Sequence, residues 1–112
     1  MRGEEERTWR KSFDTFTPIG PWIVTADEVG DPHNLQMDLW VNDELRQSVN
    51  TEMMIFNCYK CLEVASQSMT LYPGDVITTG TPSGVGPIKK GDRIRLRIER
   101  IGEFVVEVDE QP

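Results

Sequence analysis

The chain has 112 residues, 38% of them hydrophobic, and a formal net charge of −7 at pH 7. That length makes one domain at most, with room for a modest core. The acidic balance excludes nucleic-acid binding and docking on an anionic membrane, both of which need basic patches, and no apolar run approaches membrane-spanning length.

Residues 1–9 are polar and carry the run Glu4-Glu5-Glu6, read as a solvated charged arm rather than a metal-binding carboxylate pair, since no apolar strand surrounds it. The charged start argues against a signal peptide. Next come cations, hydroxyls and aromatics, Arg10-Lys11-Ser12-Phe13-Asp14-Thr15-Phe16-Thr17-Pro18, and then Pro18-Ile19-Gly20-Pro21, whose prolines rule out a continuous helix. Residues 22–25 read as a short strand and residues 27–33 as a loop. Asp27, Asp31 and His33 in that loop read as a polar turn, because nothing makes three ligands converge there.

Leu35, Met37, Leu39 and Val41 alternate with Gln36, Asp38 and Trp40, the period of a strand with one buried face. Asn42-Asp43 supplies a turn and residues 44–49 return as the partner strand. Thr51 is placed to cap a short helical turn. Cys58, Cys61, Leu62 and Ala65 then fall at i, i+3, i+4 and i+7, which predicts an amphipathic helix over residues 57–67. The Cys58/Cys61 spacing invites a redox or zinc reading. A zinc site needs a second ligand pair, however, and His33 is the sole histidine. Both cysteines are expected as buried core thiols, unpaired as suits a reducing cytoplasm.

Tyr72-Pro73-Gly74-Asp75 has the proline and glycine of a type II turn. Residues 75–79 read as a short apolar strand running into Gly80-Thr81-Pro82-Ser83-Gly84-Val85-Gly86. Three glycines and a proline within seven residues permit backbone conformations that other residues avoid and let a partner approach the main chain closely. A tight turn and a ligand loop both remain open readings. It is not a P-loop, since no Gly-Lys-Ser/Thr follows. Lys90-Gly91-Asp92 makes another turn, and residues 93–99 and 104–108 form a terminal hairpin. The coarse reading is mostly β with one clear helix, an α+β class.

Several stretches taken in order resemble the fumarylacetoacetate hydrolase family. They are Lys11-Ser12-Phe13-Asp14-Thr15-Phe16, Pro18-Ile19-Gly20-Pro21-Trp22, Asn34-Leu35-Gln36-Met37, Ser66-Gln67, Met69-Thr70-Leu71, Pro73-Gly74-Asp75-Val76 and the run from Thr79 through Gly86. The resemblance covers residues 10–112. It implies a distorted β-roll of mixed sheets and a divalent cation, magnesium or manganese, that binds oxo-acid substrates. Members hydrolyse carbon–carbon bonds of acylpyruvates, decarboxylate oxaloacetate, or isomerise and decarboxylate products of aromatic catabolism. In the family a Glu-x-Glu pair and a later Asp hold the metal, all before the Lys-Ser-Phe motif, and this chain has almost nothing before that motif. The expectation is therefore the C-terminal part of the catalytic domain, incomplete at its N-terminal side. It would not hold the cation tightly by itself, and it would be inactive alone.

By the same resemblance Lys11 is the catalytic lysine and Thr81 the contact to the substrate carboxylate. Gly80, Pro82, Ser83 and Gly84 share that substrate-binding loop, and the Lys11 carbonyl with Thr15 makes a secondary cation site. Ser83 is not read as a nucleophile, because no histidine base is evident for it. Two readings compete with a metal-dependent enzyme: a non-catalytic self-associating module that retains half of the site, and an unrelated small β-domain that binds an anionic metabolite. Unpaired sheet edges lead us to expect a homo-oligomer, most simply a dimer.

Overall fold

The computed structural model describes residues 10–110. The expected charged arm, residues 1–9, lies outside them. The elements are α1 (Ala26–Val29), β1 (Gln36–Val41), β2 (Glu44–Asn50), a 3-10 turn (Thr51–Met53), α2 (Cys58–Ser68), β3 (Arg93–Ile98) and β4 (Gly102–Glu107). The strands form one antiparallel sheet in the order β2-β1-β3-β4. The α+β class expected from the pattern is thus what forms.

The β1–β2 hairpin closes through Asn42 and Asp43, with φ of 50° and 67°. Two left-handed residues match the twist of the flanking strands, and Asn and Asp tolerate that region better than most side chains. Asn42 also fastens the hairpin to β3. Its N–H donates to the Arg93 carbonyl at 2.9 Å, its Oδ1 accepts from the Arg93 N–H at 2.9 Å, and its Nδ2 donates to Asp92 Oδ1 at 2.7 Å. The turn before β3 forms as expected, with Gly91 at φ 88° and the Asp92 N–H bonded to the Lys89 carbonyl. The terminal hairpin forms two residues earlier than expected on its return side, with β4 starting at Gly102.

One face of the sheet is polar. Asp38 Oδ1 accepts from Ser48 Oγ at 2.6 Å and from Gln36 Nε2 at 3.0 Å, and the Arg95 guanidinium lies 4.1 Å from the centre of the Trp40 ring. The other face carries Met37, Leu39, Ile94, Leu96, Ile98, Phe104 and Val106, as the register and the period of two require. Among the described residues the buried apolar ones are few: Val29 of α1, Leu35 leading into β1, and Val41 at its end. Thr51 clamps the entry to β1, its Oγ1 accepting from the Leu35 N–H and donating to the Pro32 carbonyl.

Several expectations are corrected. Residues 22–25 are not a strand; the segment is held by a side chain, Trp22 Nε1 donating to the Ile101 carbonyl at 2.9 Å while its ring lies against Gly102. The predicted loop after it begins with α1, where Thr25 takes the N-cap position with extended dihedrals. The Thr25 hydroxyl serves the Asp27 carboxylate instead of a helix N–H, and chiefly for that reason holds the Asp27 carboxyl below its ordinary range. The 3-10 turn is capped by Asn50, whose Oδ1 accepts from the Glu52 N–H, not by Thr51. Residues 75–79 are not a strand either, because among the described residues no neighbour offers a ladder to them. Helix α2 forms where its period places it, capped by Asn57 Oδ1 on the Lys60 N–H at 2.8 Å. It buries no residue, and no sheet strand packs closely on it, so Cys58 and Cys61 are free, half-buried thiols and not core thiols.

Candidate functional site

The glycine loop is seated on a bulge in β2. Leu39 pairs with Gln47 and Trp40 with Leu45, which leaves Arg46 as the extra residue. Gly84 lies directly against that bulge: with φ of 103°, it has a backbone conformation few side chains adopt, and a Cβ there would overlap the Arg46 carbonyl. The Arg46 guanidinium reaches along the loop and donates to the Pro87 carbonyl at 3.1 Å. Gln47, next on the strand, donates through Nε2 to Thr81 Oγ1 at 3.1 Å and to the Pro82 carbonyl at 3.2 Å. The turn entering the loop is locked by Asp75, whose N–H bonds the Tyr72 carbonyl and whose Oδ2 accepts from the Tyr72 N–H.

Between this loop and the apolar sheet face runs a cleft of about 180 Å³, lined by Leu39, Val41, Gln47, Thr81, Val85 and Ile94 among others. Thr81 stands exposed at its edge, half-buried Pro82 follows, and Gly80, Ser83 and Gly84 are exposed. Of the five loop residues singled out in the sequence, Thr81 and Gly84 line the cleft. Lys11 and Thr15 lie on the segment before Pro18. Both are exposed, Thr15 has a left-handed φ of 69°, and the Lys11 carbonyl accepts from Thr17 Oγ1 at 2.8 Å. Among the described residues no hydrogen bond joins either of them to the loop.

Arg46 and Gln47 are the loop's partners that sequence reasoning passed over. The signal was present: Gln47 stands opposite Leu39 on a face where the alternation calls for an apolar side chain.

No group of three or more His, Cys, Asp or Glu among the described residues is arranged to hold a metal ion. The carboxylates that the structure draws inward already have donors. Asp92 is buried, with Oδ1 on the Asn42 amide and Oδ2 on the Lys89 N–H. Those two donors, the Lys89 N–H foremost, keep its carboxyl below the usual carboxylate range. The Ser48 hydroxyl, then the Gln36 amide, do the same for Asp38. The described residues therefore do not fit a primary divalent-cation site. His33 is engaged as well: its Nε2 accepts from the Cys58 N–H at 3.0 Å and its Nδ1 faces Asp31 Oδ1 at 3.4 Å. With that lone pair taken, it is no base for Ser83.

The family model described as fumarylacetoacetate hydrolase C-terminal matches residues 3–109. A maleylpyruvate hydrolase of Aquipseudomonas alcaligenes is 50% identical over 108 residues, covering 96% of this chain and 38% of the relative. A mitochondrial oxaloacetate tautomerase of Bos taurus is 46% identical over 115 residues, covering 95% of this chain and 37% of the relative. The crystal structure of a maleylpyruvate hydrolase from Sphingobium sp., in complex with manganese(II) and pyruvate, superposes with a TM-score of 0.92 at 52% identity, over 99% of this chain and 41% of that one. This chain thus spans about two fifths of the length of the relatives it matches. No helix among the described residues is long and apolar enough to cross a membrane. With the ordered motifs, the family match over nearly the whole chain and the superposition in agreement, the chain belongs to the fumarylacetoacetate hydrolase family.

Proposed function

We propose that this chain supplies the carboxylate-anchoring part of an oxo-acid site. The reaction class is acylpyruvate carbon–carbon hydrolysis, oxaloacetate decarboxylation or the related isomerisations. The observation that carries the reading is the seat of the glycine loop: Gly84 on the β2 bulge and Thr81 on Gln47 hold an exposed hydroxyl at the mouth of an apolar cleft. In such a site the Thr81 hydroxyl and the loop N–H groups donate to the substrate carboxylate, and fixed donors of this kind need no reorganisation when charge develops. Gly80, Pro82, Ser83 and Gly84 shape the same loop. Lys11 adds positive charge against the enolate that forms next to the carboxylate. The secondary cation site at the Lys11 carbonyl and Thr15 belongs to this reading too. Any primary divalent cation, magnesium or manganese, draws its carboxylates from outside the described residues. The unpaired thiols suit a reducing compartment, and we place the chain in the cytoplasm.

The test is to titrate oxalate or pyruvate into the isotope-labelled chain and follow the backbone amides of residues 80–86 by NMR. Weak, saturable shifts in that loop are expected. Shifts elsewhere with none in the loop would remove the assignment.

A homo-oligomer, most simply a dimer, is the assembly we propose. Ile23 is 90% exposed, Ile55 is 93% exposed, and α2 buries none of its residues. Apolar surface on this scale belongs in an interface.

A further inference from the structure

Resting on that carboxylate reading, we propose that Gln47 is a positioning residue that sets the direction of the Thr81 hydroxyl, turning its proton outward to donate to the carboxylate of a small oxo-acid.

The Pro82 carbonyl can only accept a hydrogen bond. An amide side chain facing it at 3.2 Å must present its NH2 end, so the orientation of the Gln47 amide follows from that contact. The same Nε2 lies 3.1 Å from Thr81 Oγ1 and is again the donor. Its two hydrogens are then both assigned, one to each oxygen. Thr81 Oγ1 is left as the acceptor of this bond, and its own proton cannot point back at Gln47. Among the described residues no acceptor takes that proton. Thr81 is exposed and lines the cleft, so the proton is free to turn into the space a ligand would enter. A hydroxyl that accepts from Gln47 keeps its one proton for another partner, and a carboxylate is the acceptor that such a donor serves best. Gln47 itself is half-buried on β2 and lines the same cleft, with both hydrogens of its amide nitrogen facing loop oxygens. Its place opposite Leu39, where packing alone would favour an apolar residue, is explained by this role.

The test is a double-mutant cycle on the full chain with pyruvate as the probe, read by the amide shifts of residues 80–86. The four proteins are the unsubstituted chain, Thr81→Val, Gln47→Met and the double variant. Methionine keeps length and neutrality but neither orients nor donates. Thr81→Val should weaken pyruvate by about tenfold or more, the scale of one hydrogen bond to a charged group. Gln47→Met should weaken it severalfold when Thr81 is present and not at all in the Thr81→Val background, because its effect passes through the hydroxyl. A Gln47→Met variant that binds pyruvate as well as the unsubstituted chain would overturn the positioning role while leaving the carboxylate loop standing. An equal loss in both backgrounds would overturn it too, by showing that Gln47 acts only on loop packing. If the unsubstituted chain gives no shifts in residues 80–86, the carboxylate reading itself fails and this inference goes with it. If Gln47→Met does not fold, Gln47→Glu takes its place in the same cycle. A carboxylate has no N–H for Thr81 and would draw its proton inward, so its loss should again be larger with Thr81 present than in the Thr81→Val background.

Discussion

The amide of Asn42 donates to the carboxylate of Asp92 at 2.7 Å across fifty residues of sequence, and both side chains then close on the entry to β3. Asn42 Oδ1 takes the Arg93 N–H, and Asp92 Oδ2 takes the Lys89 N–H. One hairpin turn is thereby fastened to the start of the next hairpin. The same donors depress the Asp92 carboxyl, the Lys89 N–H most and the Asn42 amide next. A carboxyl whose folded pKa lies below its unfolded value contributes stability that is present above the unfolded pKa, about 3.9 for Asp. That stability is lost as pH falls through the folded pKa. Melting temperature should therefore hold from neutrality to about pH 5 and fall below about pH 4, where the unfolded chain takes up protons that Asp92 and Asp38 resist in the folded one. Asp92→Asn should flatten part of that fall, and a variant with the same acid profile as the parent would remove Asp92 from the account. Asn42→Ala, which loses these bonds and strains the left-handed turn, should destabilise the chain by about 1–3 kcal/mol in a urea melt at pH 7.

Gly84→Ala should be among the most damaging single-methyl additions. The new Cβ meets the Arg46 carbonyl, a backbone atom of a paired strand that cannot swing aside, and alanine is strained at this positive φ. We expect about 1–3 kcal/mol of destabilisation or a displaced loop, seen as amide shifts spreading from residues 80–86 into β2. Gly80→Ala is the comparison, since nothing lies within 4 Å of a Cβ there and only the strain of φ 105° remains. Equal effects at the two positions would show that contact with the bulge is unimportant.

Assayed alone, the chain should show no metal-dependent acylpyruvate hydrolysis or oxaloacetate decarboxylation above background. The described residues offer no cluster of three or more ligands for the cation, and the carboxylates of Asp92 and Asp38 are already engaged. Turnover with magnesium or manganese that disappears in Lys11→Ala would overturn this and mean that the site is completed in another way.

Light scattering across a dilution series should report a dimer or larger assembly at micromolar concentration. Each Å² of apolar surface left wet forgoes roughly 25 cal/mol, and a small domain's whole stability is only about 5–15 kcal/mol. Phe56, Leu62 and Val64 on and beside α2 stand exposed together with Ile55. A cooperatively folded monomer across the series would show that this surface is tolerated in water.

The sequence by itself determined the two hairpins, α2 and the family. The alternation of Leu35 to Val41, the Asn42-Asp43 turn and the 3.6-residue spacing from Cys58 to Ala65 are local signals, legible because each residue's neighbours in space are its neighbours in sequence. The ordered motifs through Thr79-Gly80-Thr81-Pro82 placed the loop residues together on the same ground. Only the tertiary structure decided what those elements meet. The helical spacing named an apolar face on α2 but not a partner to bury it, so Cys58 and Cys61 remain half-buried. Residues 75–79 have the composition of a strand, yet a strand exists only where another chain segment completes its ladder. Trp22 reads as part of a strand and serves as an anchor on Gly102. Gln47 and Thr81 lie 34 positions apart, and no spacing rule links them. The β2 bulge at Arg46 and the absence of a side chain on Gly84 bring them within hydrogen-bonding distance.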